Sequence, residues 1–160
     1  MRVLITGTAG KIGRVVGREL HEHGHDVLGV DRGFRPDVPY EQRVGDLLEP
    51  FFFERVFEKD GSFDAIVHLA NIPNVRAGRT PAAVLSENLA MSGLVFGVAR
   101  ERGVKRILYS SSIQAALPAY DDDGQVIHET PPECLPIDET VSPRPSNMYG
   151  LSKLVAEQML

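Results

Sequence analysis

The chain contains one cysteine among its 160 residues, Cys134, and this scarcity removes several classes of protein. A single cysteine excludes an internal disulfide. Cys134 stands in a proline-rich stretch with no cysteine or histidine at metal-ligand spacing, so we expect no metal site there. A catalytic thiol is also disfavoured, because a lone cysteine in such a loop gives it little support.

The chain also lacks an excess of positive charge and a long apolar run. Its formal net charge is −5 at pH 7, whereas proteins that bind nucleic acids usually carry a basic patch. The basic cluster Arg100, Arg102, Lys105 and Arg106 lies at the end of a predicted helix, where positive charge complements the helix dipole. No apolar run approaches the ~20 residues of a membrane span, and the first residues form a strand pattern rather than a signal peptide. We therefore expect a cytoplasmic protein that binds neither nucleic acid nor membrane.

Short β-branched apolar runs alternate with amphipathic helical stretches, which is the pattern of a parallel α/β sheet. The predicted strands are Arg2–Thr6, Asp26–Val30, Arg43–Gly45, Ala65–Leu69 and Arg106–Ser110. The predicted helices are Lys11–His23, a segment from Pro50, Pro81–Arg102 and Asn147–Leu160. These elements predict one α/β domain over residues 1–160, with a doubly wound parallel sheet of about five strands.

Two of the predicted helices have recognisable faces. The first places Ile12, Val15, Val16 and Leu20 on one side, which is expected to face the core. The second contains three consecutive phenylalanines at 51–53, and such a run is more typical of core packing than of a cofactor site.

A glycine-rich turn joins the first strand to the first helix. Gly7 allows the tight turn, Gly10 lets the backbone approach a pyrophosphate, and Gly13 lets the helix pack close to the strand. The helix N-terminus adds free N–H groups and a partial positive charge. This motif, between a strand and a helix, predicts a dinucleotide-binding site.

The residue after the second strand indicates which dinucleotide is bound. Asp31 can accept hydrogen bonds from the adenosine ribose hydroxyls, and its carboxylate would repel a 2′-phosphate. Arg32 and Arg35 follow closely, and either guanidinium could pair with such a phosphate. NAD is therefore the predicted cofactor, with NADP as the less favoured alternative.

Tyr149 and Lys153 are four residues apart in the last predicted helix, which places them on one face. An unperturbed tyrosine has a pKa near ~10, and a neighbouring ammonium lowers the pKa by favouring the phenolate. Such a pair suits removal of a hydroxyl proton while a hydride leaves the same carbon. The fifth strand ends in a triple serine at 110–112, and ligands of open α/β sheets bind at the carboxyl ends of strands.

These residues together resemble the extended short-chain dehydrogenase/reductase superfamily, in its NAD-dependent epimerase/dehydratase group, over essentially the whole chain. The family's motifs match, in chain order, Gly7, Gly10 and Gly13, then Asp31, Asp46-Leu47, His68-Leu69-Ala70, Asn88, Ser112, Tyr149 and Lys153. The resemblance implies a Rossmann fold. It implies a cofactor site formed by Gly7, Ala9, Gly10, Lys11, Ile12, Gly13, Asp31, Arg32, Asp46, Leu47, Leu69, Ala70, Asn88, Tyr149 and Lys153.

The resemblance also implies a chemistry for the last three motif residues. Tyr149 is the general acid/base, Lys153 lowers its pKa and binds the nicotinamide ribose, and Ser112 orients the substrate. Ser111 is the second candidate for the serine role, because the triple serine leaves the register open by one residue. The implied substrate is a sugar or nucleotide-sugar, and the implied assembly is a homodimer formed by the helices that carry Asn88 and Tyr149.

Three departures from the family narrow the function. Ala116-Leu117 stand where many sugar-nucleotide members carry Tyr-Gly, and Ile113-Gln114 stand where dehydratases carry Asp-Glu. A 4,6-dehydratase is thus disfavoured, while an epimerase, a sugar dehydrogenase or another carbonyl reductase stays open. Family members continue well past the Tyr-Lys helix, so we expect the C-terminal substrate lobe to be missing. A non-catalytic NAD(P)-binding module, or an inactive truncated fragment, is the alternative function.

Three further polar groups are expected to have no catalytic or metal-binding role. His21, His23 and His25 span a helix end, a glycine turn and a strand start, so their side chains should point in different directions. The acidic residues 121–123 lack the alternate spacing of a calcium loop. His68 lies in a strand predicted to be buried, where a packed and hydrogen-bonded histidine is expected.

Overall fold

The computed structural model describes residues 1–73, 78–127 and 136–160, so Cys134 lies outside the described residues. The strands are β1 (Arg2–Thr6), β2 (Asp26–Asp31), β3 (Glu41–Val44), β4 (Ala65–His68) and β5 (Arg106–Tyr109). The helices are α1 (Lys11–Glu22), α2 (Phe52–Asp60), α3 (Pro81–Glu101), α4 (Ile113–Ala116) and α5 (Met148–Met159). They form two compact units, the first Met1–Asn71 with Met91–Ser110 and the second Ile72–Ala90 with Ser111–Leu160. The first unit contains all five strands, and the second contains α4 and α5.

The first unit is built on a five-stranded sheet in the order β3-β2-β1-β4-β5. Every neighbouring pair of strands is parallel. The central strands β1 and β4 are apolar on both faces, and all four residues of β4 are buried. Sheets whose strands are all parallel need such apolar strands because helices cover both faces. The parallel α/β sheet predicted from the sequence is confirmed.

The strand at one edge of the sheet differs most from its prediction. β3 runs from Glu41 to Val44, two residues earlier than the predicted start, whereas the other strands match their predicted ends to within one residue. An edge strand pairs on one side only and none of the four residues of β3 is buried. Its polar sequence Glu-Gln-Arg therefore carries little of the apolar pattern from which strands are predicted.

The prediction for the core-facing side of α1 is wrong at two of its four positions. Ile12 and Val15 are exposed, at 61% and 63%, whereas Gly13 and Gly17 are the buried residues of the helix. A Cβ on Gly17 would lie 2.5 Å from the Tyr40 ring, so the helix is packed through its glycines. Close backbone packing has replaced the apolar face that the helical period predicts. Val16 is partly buried, as is Leu20, and both pack against the core of the sheet.

The phenylalanine run at the start of α2 is divided between core and surface. Phe53 is fully buried and Phe57 stacks edge-on against both Phe53 and Phe63. Phe51, in contrast, is 69% exposed and adopts a left-handed conformation with φ 61° just before the helix. Core packing is therefore confirmed for Phe53 and wrong for Phe51, because the helix begins after Phe51 rather than at Pro50.

Among the described residues, α3 is the one helix long and apolar enough to cross a membrane by length and composition. The sequence did not indicate such a span. Within the structure, 44% of the apolar window of α3 is buried, and its buried side chains include Asn88 and Ser92. A helix that packs inside a folded core passes the same test, so the absence of a membrane partner stays a prediction.

Candidate functional site

The glycine-rich turn between β1 and α1 is packed so closely that side chains do not fit at two of its positions. Gly7 has φ +81°, and a Cβ on it would lie 2.6 Å from the backbone nitrogen of Ala70, which follows β4. A Cβ on Gly13 would lie 2.7 Å from Thr8 Cα and closer still to the Gly7 carbonyl oxygen. The turn therefore requires glycine at both positions, as predicted from the motif.

The third glycine stands at the start of α1, and its surroundings are open. A Cβ on Gly10 would meet only the Gly7 carbonyl oxygen, at 3.2 Å. The first helix hydrogen bond runs from Arg14 N to Gly10 O, so the N–H groups of residues 11–13 stand outside the helix ladder. Among the described residues no side chain caps this end, and its first turn carries no acidic residue. An anion such as a dinucleotide pyrophosphate fits this helix end.

Asp31 is fixed at the carboxyl end of β2 by two backbone hydrogen bonds. Its Oδ2 accepts from the N–H of Ala9, at 2.9 Å, and its Oδ1 accepts from the N–H of Gly33, at 3.0 Å. Each carboxylate oxygen accepts one of these hydrogen bonds and has a second lone pair, so it can accept one more. The carboxylate therefore both holds the glycine-rich turn and can accept from ribose hydroxyls.

The two arginines that follow Asp31 have partners within the protein. Arg32 Nη1 lies 3.7 Å from Asp46 Oδ2. Arg35 donates from Nε to the Ala9 carbonyl at 3.1 Å, and its backbone N–H donates to Gln42 Oε1 at 3.0 Å. Each guanidinium thus has a partner within the protein, and it is the Asp31 carboxylate, which would repel a 2′-phosphate, that favours the ribose diol of NAD. The neighbouring Leu47 is buried.

A buried histidine supports the end of β4, where Leu69 and Ala70 follow the strand. His68 Nδ1 lies 2.7 Å from Thr6 Oγ1, and its Nε2 lies 3.3 Å from Ser92 Oγ. Thr6 Oγ1 also accepts from the N–H of Ala70, at 3.2 Å. The packed, hydrogen-bonded histidine predicted from the sequence is confirmed, and it ties the strand end to the residue before the glycine-rich turn.

In the second unit, α5 carries Tyr149 and Lys153 one turn apart. The Lys153 Nζ lies 5.7 Å from the centre of the Tyr149 ring. Lys153 is only 3% exposed, and this burial lowers the pKa of its ammonium from 10.5 to about 8, while the charge of Glu157 acts in the opposite direction. A buried ammonium beside a phenol favours the phenolate form, which is the form that a base requires.

Ser112 begins α4 as its N-cap. Its backbone is extended, and its Oγ accepts from the N–H of Gln114 at 3.3 Å, which leaves the hydroxyl proton available to donate elsewhere. The hydroxyl of Ser111, by contrast, donates to Glu157 Oε1 on α5. The two serines that the sequence leaves as alternatives therefore have different partners.

The close packing of α4 on α5 depends on residues that the sequence did not single out. A Cβ on Gly150 would lie 2.9 Å from the Gln114 carbonyl carbon. Asn147 caps α5 by accepting from the N–H of Gly150 at 2.7 Å, and its amide donates to Gln114 Oε1 at 2.7 Å. The glycine directly after Tyr149 was the available signal, since a glycine inside a helix often marks a close approach.

Asn88 has a different set of partners from the cofactor contact that the resemblance implies. Its Oδ1 accepts from the N–H of Ile72 at 2.8 Å, and its Nδ2 donates to the Ile72 carbonyl at 3.0 Å and to Ser152 Oγ at 3.2 Å. The amide thereby holds the segment after β4 against α5. A direct contact between Asn88 and a cofactor stays a prediction.

The burial of Lys153 leads to a prediction for stability. Its pKa is lower in the folded chain than in the unfolded chain, so the unfolded chain binds more protons between pH about 8 and 10.5. This contribution makes the free energy of unfolding rise with pH through that window. Below about pH 8 the full cost of burying the Lys153 ammonium is present. Lys153→Met should therefore raise the free energy of unfolding at pH 7 by roughly 1–3 kcal/mol and flatten this part of the pH dependence.

Urea denaturation of the cofactor-free chain at pH 7 and pH 10 measures this effect. The exposed Lys105, replaced by methionine, is the matched control and should change stability by less than about 0.5 kcal/mol at either pH. A Lys153→Met variant less stable than the wild type at pH 7 would contradict the assigned cost of burying the ammonium.

Comparison with known proteins finds similarity over almost the whole chain. The model of the NAD-dependent epimerase/dehydratase family matches residues 3–160. The UDP-glucose 4-epimerase of Streptomyces lividans is 31% identical over 165 residues, covering 99% of this chain and 46% of that protein. The UDP-glucose 4-epimerase of Azospirillum brasilense is 32% identical, covering 99% of this chain and 43% of that protein. The crystal structure of UDP-glucose 4-epimerase from Bifidobacterium longum with NAD+ and UDP has a TM-score of 0.81 and 28% identity, over 99% of this chain and 48% of that one.

The chain thus spans about half the length of the curated relatives it matches. The matched region nevertheless includes the glycine-rich turn, Asp31 and the Tyr149–Lys153 pair. The resemblance seen in the sequence is confirmed, and the chain belongs to the NAD-dependent epimerase/dehydratase family.

Proposed function

We propose that this chain is an NAD-dependent epimerase that acts on the sugar of a nucleotide-sugar, with Tyr149 as the general acid/base. The observation that carries the proposal is the buried Lys153 ammonium beside the Tyr149 ring on α5. A lysine costs free energy when it is buried, and a structural role would be served better by an apolar residue. Its position next to a phenol supports a catalytic role.

The glycine-rich turn and Asp31 are the residues that would hold NAD. The N–H groups at the start of α1 would bind the pyrophosphate, and the Asp31 carboxylate would bind the adenosine ribose hydroxyls. NAD+, when bound, supplies a hydride acceptor. The residues after β4, Leu69 and Ala70, are assigned to the same cofactor site by the family resemblance.

Tyr149, Lys153 and Ser112 would perform the proton chemistry. The Tyr149 phenolate removes the proton from a sugar hydroxyl as the carbon of that hydroxyl is oxidised, and it returns the proton when the carbonyl is reduced. Lys153 favours the phenolate through its charge, and Ser112 orients the sugar oxygen with the hydroxyl proton that its capping role leaves available. The net reaction inverts the configuration at one carbon of the sugar and consumes no NAD+.

The relatives support an epimerase over a dehydrogenase. Those from Streptomyces lividans and Azospirillum brasilense are both UDP-glucose 4-epimerases, and the Bifidobacterium longum structure holds UDP. Ile113 and Gln114 stand where dehydratases carry Asp-Glu, which disfavours a dehydratase. A UDP-sugar is therefore the proposed substrate, and a cytoplasmic homodimer is the proposed form.

The experiment is an interconversion assay combined with a cofactor titration. The chain should convert UDP-galactose to UDP-glucose in the presence of NAD+, and NAD+ should bind at least ~10-fold more tightly than NADP+, because the Asp31 carboxylate opposes a 2′-phosphate. Equal affinity for both dinucleotides would contradict the assigned role of Asp31. Conversion of another UDP-sugar but not of UDP-galactose would change the assigned substrate to that UDP-sugar.

NAD binding without turnover is the second candidate function. It is favoured by the observation that the glycine-rich turn and Asp31, which by themselves account for dinucleotide binding, belong to the first compact unit, whereas Tyr149 and Lys153 belong to the second. The same assay separates the two candidates. NAD+ binding without conversion of any UDP-sugar supports the second, and turnover by these 160 residues rules it out.

A further inference from the structure

The carboxylate of Glu157 lies one helical turn beyond Lys153 on α5. Tyr149, Lys153 and Glu157 follow each other at intervals of four residues, which places them along one side of the helix. The hydroxyl of Ser111 donates to Glu157 Oε1, so the carboxylate is connected to the segment just before α4. The proposed function gives no role to either Glu157 or Ser111.

We propose that Glu157 is a positioning residue that keeps Lys153 protonated, and that Ser111 holds its carboxylate in place for this task. This inference rests on the proposed function, in which the charge of Lys153 favours the Tyr149 phenolate. It also gives the adjacent serines separate tasks. Ser112 caps α4 and is assigned to the substrate, and Ser111 orients the carboxylate.

Lys153 needs such support because burial acts against its charge. Desolvation is the larger influence on the pKa of Lys153 and lowers it, and the negative charge of Glu157 raises it. An ammonium whose pKa is about 8 is still mostly charged at pH 7, whereas a pKa lowered to below ~7 would make it mostly neutral there. A neutral lysine would no longer favour the phenolate.

Among the described residues, Glu157 is the acidic group whose charge raises the pKa of Lys153. The helix α4, which packs on α5, has the sequence Ile-Gln-Ala-Ala and therefore contributes no titratable side chain. Asp122 accepts from the N–H of Met148 and so acts at the opposite, N-terminal end of α5. Glu157 is the single acidic residue within α5 itself.

The Ser111 hydroxyl explains how an exposed carboxylate can act on a buried ammonium. Surface carboxylates are mobile and screened by water and salt, so an unrestrained glutamate contributes little to a neighbouring charge. A hydrogen bond from the hydroxyl confines the carboxylate to one position without neutralising it. Loss of that hydrogen bond should therefore weaken the effect of Glu157, and loss of the charge should remove it.

The test is a pH titration of Lys153 in the full chain, monitored through the NMR signals of isotope-labelled lysine side chains. In Glu157→Gln the midpoint of the Lys153 titration should fall below that of the wild type, and in Ser111→Ala it should fall by a smaller amount. Glu157→Asp keeps the charge, so its Lys153 midpoint should lie between those of Glu157→Gln and the wild type. The exposed Glu22, replaced by glutamine, removes the same charge at the end of α1 and should leave the midpoint unchanged.

The titration is independent of turnover, so its outcome is separable from that of the proposed function. An unchanged Lys153 midpoint in folded Glu157→Gln overturns the inference, even when the wild type is an active epimerase. A lowered midpoint in a chain that converts no UDP-sugar supports the inference and rejects the proposed function. In an active enzyme, Glu157→Gln should also shift the rise of kcat to higher pH, whereas damage to the fold alone would lower kcat at every pH.

Discussion

Replacement of Gly13 by alanine is expected to remove most of the affinity of this chain for NAD+. The new methyl group would lie 2.7 Å from Thr8 Cα and closer still to the Gly7 carbonyl oxygen. Both neighbours are backbone atoms and cannot rotate away, so the turn or the helix must move. Overpacking of this kind costs about 1–3 kcal/mol. If that strain moves the N–H groups away from the pyrophosphate, the affinity for NAD+ should fall ~10- to 100-fold.

Isothermal titration with NAD+ and urea denaturation together measure this effect, and Gly97 provides the control. Gly97→Ala is the matched substitution at an open site, because a Cβ there meets nothing within 4 Å. It should leave NAD+ binding unchanged and stabilise α3 by about 0.5–1 kcal/mol, since alanine favours helix more than glycine does. Unchanged NAD+ affinity in Gly13→Ala would mean that the turn does not bind the pyrophosphate as assigned.

Gly10→Ala separates loss of binding from loss of stability. A Cβ at Gly10 meets only the Gly7 carbonyl oxygen, at 3.2 Å, so the fold can accept it with a small adjustment. The methyl group would instead occupy space at the start of α1, where the pyrophosphate is assigned. Stability should change by less than about 1 kcal/mol, while NAD+ affinity should still fall by at least ~10-fold. Normal NAD+ binding by Gly10→Ala would contradict the proposed approach of the phosphates.

The strands of the parallel sheet and the glycine-rich turn could be predicted because each depends on local chemistry. The buried strands β1, β2 and β4 are continuous apolar runs, and a glycine motif between a strand and a helix has few alternative explanations. Asp31 is likewise defined by its place at the end of β2. These features are encoded in consecutive residues, so an isolated sequence is enough to identify them.

Features that depend on close backbone approach could not be predicted in the same way. The apolar period of α1 indicated Ile12 and Val15 as core residues, yet Gly13 and Gly17 face the interior because only glycine permits that distance. The contact of Gly150 with Gln114 has the same origin and joins residues far apart in the chain. A hydrophobic pattern records which side chains are buried, and it carries no signal for a contact made where there is no side chain.

The partners of the predicted site residues show a second limit of the sequence. The triple serine left Ser111 and Ser112 as alternatives, and only their contacts, with Glu157 and Gln114 respectively, separate them. Asn88 was matched by family position to the cofactor, whereas its amide is engaged by the Ile72 backbone and Ser152. A residue type at a motif position indicates a site, but its hydrogen-bond partners depend on segments distant in the chain.

Replacement of Tyr149 by phenylalanine is expected to produce the largest loss of turnover. The ring and its position 5.7 Å from Lys153 Nζ are kept, and only the hydroxyl that carries the proton is lost. Removal of a general acid/base typically lowers kcat by ~10²- to 10⁴-fold. The loss of NAD+ affinity should be much smaller than the loss of kcat, because the assigned pyrophosphate and adenosine ribose contacts are on the glycine-rich turn and Asp31 and are kept.

Steady-state conversion of UDP-galactose measures the loss, and Tyr120→Phe is the matched control. Tyr120 is 40% exposed, and Ser146 and Asn147 donate hydrogen bonds to its backbone carbonyl, which phenylalanine keeps. The control should retain the kcat of the wild type. Near-normal turnover by Tyr149→Phe would show that another group moves the proton.

The double variant of Tyr149→Phe with Lys153→Met tests whether the two residues act as one unit. In the proposed mechanism the charge of Lys153 assists catalysis by favouring the Tyr149 phenolate, so it has no phenolate to favour once the hydroxyl is gone. The kcat of the double variant should therefore lie close to that of Tyr149→Phe alone, far above the product of the two separate losses. Fully multiplicative losses would contradict the coupling of the two residues and would leave binding of the nicotinamide ribose as the one assigned role of Lys153.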